Sequence, residues 1–313
     1  MTGRTTPLRL GTRASLLATT QSQTVADAIT AATGVPVELV KITTDGDVLT
    51  GPLAQLGGTG VFASALRDAL LRGECDLLVH SMKDLPTAPL PGIVIAAVPV
   101  RAPHRDALCA RDGLALADLP AGARVGTGSP RRVAQLLARR PDLIVDGIRG
   151  NVESRLAKVA GGEFDAIVLA EAGLRRIGRD AAITEILDGP TSAAQGALAV
   201  EIREGDAEVA ALVHAVDDVE AATTARVERA VLRRLEAGCA APVALAASRS
   251  GDRLTLEAEV YALDGTRTVT AVRDVEFGGV TTAEGAAALA ADVVDELIAG
   301  GAAELADLPG ARR

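Results

Sequence analysis

Two tetrapeptides of one design, Gly73-Glu74-Cys75-Asp76 and Gly162-Glu163-Phe164-Asp165, each lead from a helix-like stretch into a short apolar run, Leu77–Val79 and Ala166–Ala170. Gly11-Thr12 and Gly126-Thr127 likewise occupy equivalent places, each closing an earlier apolar run. Around these marks the pattern alternates between strand and helix. Leu8–Leu10 and Val35–Ile42 read as strands flanking a helix that Ser15 caps and that runs to about Thr33, and a helix over Ala63–Arg72 precedes the first tetrapeptide. From about residue 103 the series restarts. Arg124–Thr127 and Leu143–Ile148 are predicted strands, and Arg131–Arg139 and Val152–Ala160 predicted helices. Two similar α/β domains facing each other across a cleft explain the repetition, each offering ligand-binding loops from the carboxyl ends of parallel strands. Convergent turn chemistry is the rival explanation, and the sequence leaves both open.

The last third changes character. A helix over about Ala221–Ala237 is expected to stop at Gly238, a natural left-handed terminator. Val243–Ala247, Leu254–Leu263 and Thr268–Phe277 then alternate as half-buried antiparallel strands, with a hairpin turn at Asp264-Gly265, before a helix over Ala283–Ala299. This is a small α+β domain. A chain of 313 residues has room for two or three such domains. Residues 1–9 hold no apolar h-region and no run of about 18 or more uncharged apolar residues follows, so the expected location is the cytoplasm and no membrane partner is expected. Three cysteines, Cys75, Cys109 and Cys239, lack metal-ligand spacing and read as reduced thiols, so no metal is expected. A formal charge of −9 and only four aromatic residues argue against a nucleic-acid partner.

Against that acidic background, cations gather where predicted strands stop. Gly126-Thr127-Gly128-Ser129-Pro130-Arg131-Arg132 reads as a strand end, a small-residue turn and a helix start, with Ser129 suited to the N-cap and Pro130 to the first helical position. Unpaired backbone N–H groups and the positive end of the helix dipole would lie beside the two guanidiniums, which is an anion-binding arrangement. Arg149-Gly150-Asn151 and Arg155 follow, Lys83-Asp84 ends another apolar run and Arg13 a third. The expected ligand is rich in carboxylates or phosphates. Each feature also has a plainer reading: Lys83-Asp84 as a surface ion pair, Arg131-Arg132 as a solvated face, Cys239 as an idle thiol.

Seven segments, taken in order, resemble the hydroxymethylbilane synthase (porphobilinogen deaminase) family. They are Leu8 to Ser15, Gly57 to Phe62, His80-Ser81-Met82-Lys83-Asp84-Leu85-Pro86, Gly126 to Arg132, Ile148 to Asn151, Gln195-Gly196-Ala197-Leu198 and Leu235-Glu236-Ala237-Gly238-Cys239. The resemblance implies two periplasmic-binding-protein-like α/β domains around a cleft plus the small C-terminal α+β domain. Their expected extents are 1–100 with 197–217, 103–193, and 219–313. It also implies an enzyme that deaminates four porphobilinogen molecules and joins them head to tail into hydroxymethylbilane, working as a monomer with porphobilinogen and the pyrrole-chain intermediates as its partners. A dipyrromethane cofactor would be held by a thioether to Cys239.

By the same resemblance, Asp84 is the catalytic carboxylate, stabilising positive charge on the deaminated pyrrole and assisting proton transfer. Arg13, Lys83, Arg131, Arg132, Arg149, Arg155 and Arg176 would bind acetate and propionate groups. Ser15, Ser81, Thr127 and Ser129 would add hydrogen bonds, Phe62 would pack on a ring, and Gln195 completes the expected binding set. Charge-assisted hydrogen bonds of roughly 1.5–3 kcal/mol each outweigh surface acids screened beyond about 8 Å. The chain departs from many relatives at Gln55 and Thr59, at Gly128, and at Ala194, where a glycine is common. A non-catalytic two-domain receptor for a small anionic ligand is the alternative.

Overall fold

The computed structural model describes residues 6–42, 61–238 and 241–312. The chain divides into two compact units, one of Met1–Ala102 with Ala197–Ala222, the other of Pro103–Gly196 with Thr223–Arg313.

In the first unit β1 (Leu8–Thr12) leads to α1 (Leu16–Thr33), β2 (Val37–Lys41), α2 (Val61–Leu71), β3 (Leu77–Ser81) and β4 (Ile93–Ala97). Ser15 caps α1 as expected, its hydroxyl accepting from the Ala18 N–H at 3.4 Å. In the second unit β5 (Asp106–Ala110) precedes β6 (Arg124–Gly126), α3 (Pro130–Arg139), β7 (Ile144–Asp146), α4 (Val152–Ala160), β8 (Ala166–Ala170), α5 (Glu171–Arg176) and β9 (Glu185–Leu187). The chain then returns to the first unit as β10 (Leu198–Arg203) and α6 (Ala207–Val213).

The two sheets have one topology. Their orders are β2-β1-β3-β10-β4 and β7-β6-β8-β5-β9. In each, three parallel strands are followed by an antiparallel one, β10 on β3 and β5 on β8, with the fifth strand, β4 or β9, antiparallel to that one. The paired tetrapeptides do the same work in both. Asp76 accepts from the Arg9 N–H at 2.9 Å and returns its own N–H to the Arg9 carbonyl at 2.8 Å; Asp165 does so with Arg124 at 2.8 and 2.9 Å. A Cβ on Gly11 would lie 2.9 Å from Cys75 Sγ, and one on Gly126 3.1 Å from Phe164, so the third tetrapeptide residue fills the space each glycine leaves. Shared hydrogen bonds, packing and strand order bear out two similar α/β units, as expected, over mere convergence of turn chemistry.

The C-terminal layer begins after α7 (Val219–Arg234) and pairs β11 (Val243–Ser250), β12 (Arg253–Tyr261) and β13 (Thr268–Glu276) antiparallel, with α8 (Ala283–Ala299) packed on them. The expected helix stop at Gly238 is corrected to Glu236, whose φ of 48° is left-handed. Glu236 donates to the Arg233 carbonyl and Ala237 to Leu232, a Schellman closure. Buried Leu235 and Ala237 fix the turn there, one residue pair ahead of the glycine. The hairpin at Asp264-Gly265 forms as expected, with the Asp264 carboxylate accepting from the Thr266 N–H and hydroxyl. Its tip meets α3 so closely that a Cβ on Gly265 would lie 2.5 Å from the Ala138 nitrogen.

Candidate active site

In the first unit β1 and β3 are parallel neighbours, so their carboxyl ends place Arg13 and the Ser81-Met82-Lys83-Asp84 segment along one sheet edge. After β3 the chain makes a single 3-10 turn over Met82–Asp84, closed by the Leu85 N–H on the Met82 carbonyl. Buried Met82 anchors the turn, its N–H held by the Ala197 carbonyl at 3.0 Å. Lys83 is thereby half-buried and Asp84 exposed. The Ser81 hydroxyl accepts from Gln21 of α1 at 2.9 Å. Beneath the segment, Glu201 of β10 is buried with Arg67 bonded to both its oxygens, at 2.9 and 2.5 Å, and His80 Nε2 3.3 Å away. Burial opposes the Glu201 charge, but the bonds from Arg67 and His80 outweigh it and hold the carboxyl down at about 2.

In the second unit the carboxyl ends of β6, β7 and β8 carry Thr127 to Arg132, Arg149 to Arg155, and α5 with Arg176. Ser129 and Pro130 occupy the expected N-cap and first helical positions. The Ser129 hydroxyl makes no capping bond, however; its N–H donates to Thr127 Oγ1 at 3.2 Å, and Thr127 itself is buried. Arg131 and Arg132, 2% and 8% exposed, both converge on Asp106 at the head of β5. Arg131 Nη1 donates to one carboxylate oxygen and Arg132 Nη2 to the other, each at 2.7 Å. Burial opposes the Asp106 charge, yet the two guanidiniums prevail and hold its carboxyl well below the usual carboxylate range. Gln195, fully buried, donates to Asp106 at 2.9 Å and to the His104 carbonyl at 2.8 Å, so it braces the arginine pair.

The same region holds more positive charge than Asp106 can balance. Arg155 donates to the Gly150 carbonyl and Arg176 to the Gly196 carbonyl, both neutral partners. Burial, followed by repulsion from Arg132, depresses the Arg155 pKa, and burial alone brings Arg176 down to about 10. The Nε donors of Arg131 and Arg132 are buried with no protein partner. Arg149 is exposed. Asp106 and Glu201 are the site-building acids that the sequence reading missed; the signal for each is a lone acid in an apolar run, Asp106 heading Ala107-Leu108-Cys109 and Glu201 between Val200 and Ile202.

Cys239, the expected attachment point, lies outside the described residues, as do the side chain of Phe62 and residues 57–60 of the glycine-rich segment. The other two thiols are buried in strands or beside them, and burial pushes both up to about 11. Among the described residues no cluster of His, Cys, Asp and Glu is able to hold a metal ion.

Guanidiniums gathered at strand ends, clamped by one buried acid and short of counter-charge, define a protein that handles small polyanionic molecules. Comparison with known proteins agrees. The family described as porphobilinogen deaminase, dipyromethane cofactor binding domain, matches residues 8–211, and that described as porphobilinogen deaminase, C-terminal domain, matches 222–299. The chain is 53% identical to the porphobilinogen deaminase of Leifsonia xyli, covering 97% of this chain and 96% of that one. It is 55% identical to that of Thermobifida fusca, with 96% of each covered, and 51% identical to that of Micrococcus luteus, with 88% and 83% covered. The chain belongs to the porphobilinogen deaminase family. It is accordingly a transferase, a hydroxymethylbilane synthase built around a dipyrromethane cofactor, and the receptor alternative is set aside. The donor set fits that group, since exposed Arg149 and half-buried Arg155 and Arg176, the last two bonded only to neutral carbonyls, suit its pendant carboxylates.

Proposed function

We propose that this chain joins porphobilinogen units with Asp84 as its catalytic carboxylate and Cys239 as the thioether anchor. Arg13, Lys83, Arg131, Arg132, Arg149, Arg155 and Arg176 bind the acetate and propionate groups. Ser15, Ser81, Thr127 and Ser129 add hydrogen bonds, Phe62 packs on a pyrrole ring, and Gln195 keeps the binding set in register. The observation that carries this reading is the charge imbalance of the second unit: Arg131, Arg132, Arg155 and Arg176 are buried or half-buried, and Asp106 alone binds two of them.

Each residue has a definable task. Guanidiniums clamped through their Nη ends hold a fixed orientation, so little side-chain ordering accompanies binding. Asp84 stands on a 3-10 turn and is exposed, so its carboxylate accepts a hydrogen bond from a substrate pyrrole N–H and stabilises the positive charge that grows as ammonia leaves. Dipyrromethane, when bound, supplies the nucleophilic carbon from which the chain grows. The Ser129 hydroxyl, making no capping bond, is free to donate to an anion.

The proposed domain extents are 1–100 with 197–217, 103–193, and 219–313. The proposed working unit is a monomer in the cytoplasm whose partners are porphobilinogen and the pyrrole-chain intermediates, with neither nucleic acid nor membrane as a partner. Intact mass spectrometry tests the anchor and kinetics the carboxylate. Protein fed with porphobilinogen should gain two pyrrole units, and Cys239→Ser should lose both the added mass and turnover. Asp84→Asn should lose turnover by at least about a hundredfold and load more slowly, since loading uses the same deamination. A competent Cys239→Ser protein, or unchanged turnover in Asp84→Asn, would overturn the respective assignment.

A further inference from the structure

Tyr261 is the only tyrosine in the chain and ends β12, where it packs with Ala134 of α3 and Ala244 of β11. Its hydroxyl donates to Glu259 Oε2 and accepts from Gln135 Nε2 at 3.3 Å. Gln135 Nε2 also donates to the Pro190 carbonyl at 2.9 Å, and its Oε1 accepts from Arg131 Nη1 at 2.7 Å. The amide can take only this orientation, because flipping it would set its NH2 against a guanidinium and its oxygen against a carbonyl. Donors and acceptors therefore run one way, from guanidinium to amide to phenol to carboxylate. Burial, followed by Glu259, raises the Tyr261 pKa far above its ordinary value, so the phenol remains a donor.

This chain completes the clamp on Arg131. Of the two Nη1 hydrogens, one goes to Asp106 and the other to Gln135, while Nη2 reaches Ser192 at 3.4 Å. With Nη1 fully engaged the guanidinium plane cannot turn, and the buried Nε donor keeps one direction. Packing alone would need no such polar series, since apolar side chains would fill the same space without desolvation.

We propose that Gln135 is a positioning residue for Arg131, held in place by Glu259 and Tyr261, so that the C-terminal sheet sets where Arg131 receives a pyrrole carboxylate. The proposal rests on the reading of Arg131 as a carboxylate binder.

Cofactor-free protein is fed with graded porphobilinogen, and the concentration that half-loads it with two pyrrole units is read by intact mass. Tyr261→Phe removes one oxygen; Gln135→Met removes both polar ends of the amide at similar length. The loss of a hydrogen bond to a charged group predicts a half-loading concentration about tenfold higher for Gln135→Met. Tyr261→Phe should raise it by about threefold, and the double variant should match Gln135→Met alone, because the two changes break one chain. The ring resonance of the single tyrosine should shift on loading in the wild type and stay put in Gln135→Met. Additive effects, or unchanged half-loading in both variants while Arg131→Met raises it, would overturn the positioning role. Unchanged half-loading in Arg131→Met would instead remove the underlying reading of Arg131. Should Gln135→Met fail to fold, Tyr261→Phe decides alone: half-loading like the wild type overturns the proposal.

Discussion

Asp106 receives one guanidinium on each carboxylate oxygen, and Asp106→Asn keeps its shape while removing its charge. Breaking a buried ion pair from one side leaves the partner uncompensated, so the variant should lose about 3–5 kcal/mol in denaturant unfolding. A loss below about 1 kcal/mol would mean that the arginines are already balanced by other means. Glu201 gives the matching test in the first unit through pH. Its folded carboxyl lies at about 2, below its unfolded value near 4.5, so its contribution is complete above the unfolded value and vanishes as the pH falls toward about 2. Urea unfolding of Glu201→Gln should therefore show lower stability at pH 7 but a flatter decline between pH 4.5 and about 2 than the wild type. The cations of this site were legible because charges at strand ends interrupt an apolar pattern. Asp106 and Glu201 were not, because a single acid within a strand looks the same in sequence whether it faces water or a buried arginine.

Gly265 and Gly251 both stand at hairpin turns with left-handed backbone, φ +73° and +59°, and differ in what lies beside them. A methyl on Gly251 would enter open space, whereas one on Gly265 would strike the α3 backbone, 2.8 Å from the Ala134 carbonyl oxygen. Gly251→Ala should thus cost only the left-handed penalty of about 1–2 kcal/mol. Gly265→Ala adds backbone collision and should cost at least about 2 kcal/mol more, together with weaker loading, since α3 carries Arg131, Arg132 and Gln135. Equal melting temperatures for the two variants would sink this account of the docking. Element positions were legible wherever a local cause fixed them: Ser15 for the start of α1, alternation for β11 to β13, the Gly-Glu-X-Asp marks for β3 and β8. The end of α7 was not, because burial of Leu235 and Ala237 moves the left-handed residue to Glu236, against the local preference for Gly238. The antiparallel places of β5 and β10 were equally hidden, since only long-range pairing assigns them.

At the scale of the whole molecule, 41 acidic against 32 basic side chains leave a net charge of −9, while the second unit gathers buried cations around one acid. These two facts are compatible because exposed acids are screened within about 8 Å at physiological salt, and buried guanidiniums much less. The imbalance means that the cofactor-free chain keeps charged donors out of water without full compensation, which destabilises it. If the arginines bind carboxylates as proposed, dipyrromethane would supply the missing counter-charge and so favour the folded state. Loaded protein should therefore melt roughly 5–10 °C above cofactor-free protein, the shift expected for about 3 kcal/mol in a chain of this size. A millimolar dicarboxylate such as succinate should recover part of the difference in cofactor-free protein, where the same ionic strength of sodium chloride does not. The succinate effect should shrink in Arg132→Met, which removes one unpartnered donor. Identical melting of loaded and cofactor-free protein would show that the cations are balanced within the folded chain, and the case for them as carboxylate binders would fail with it.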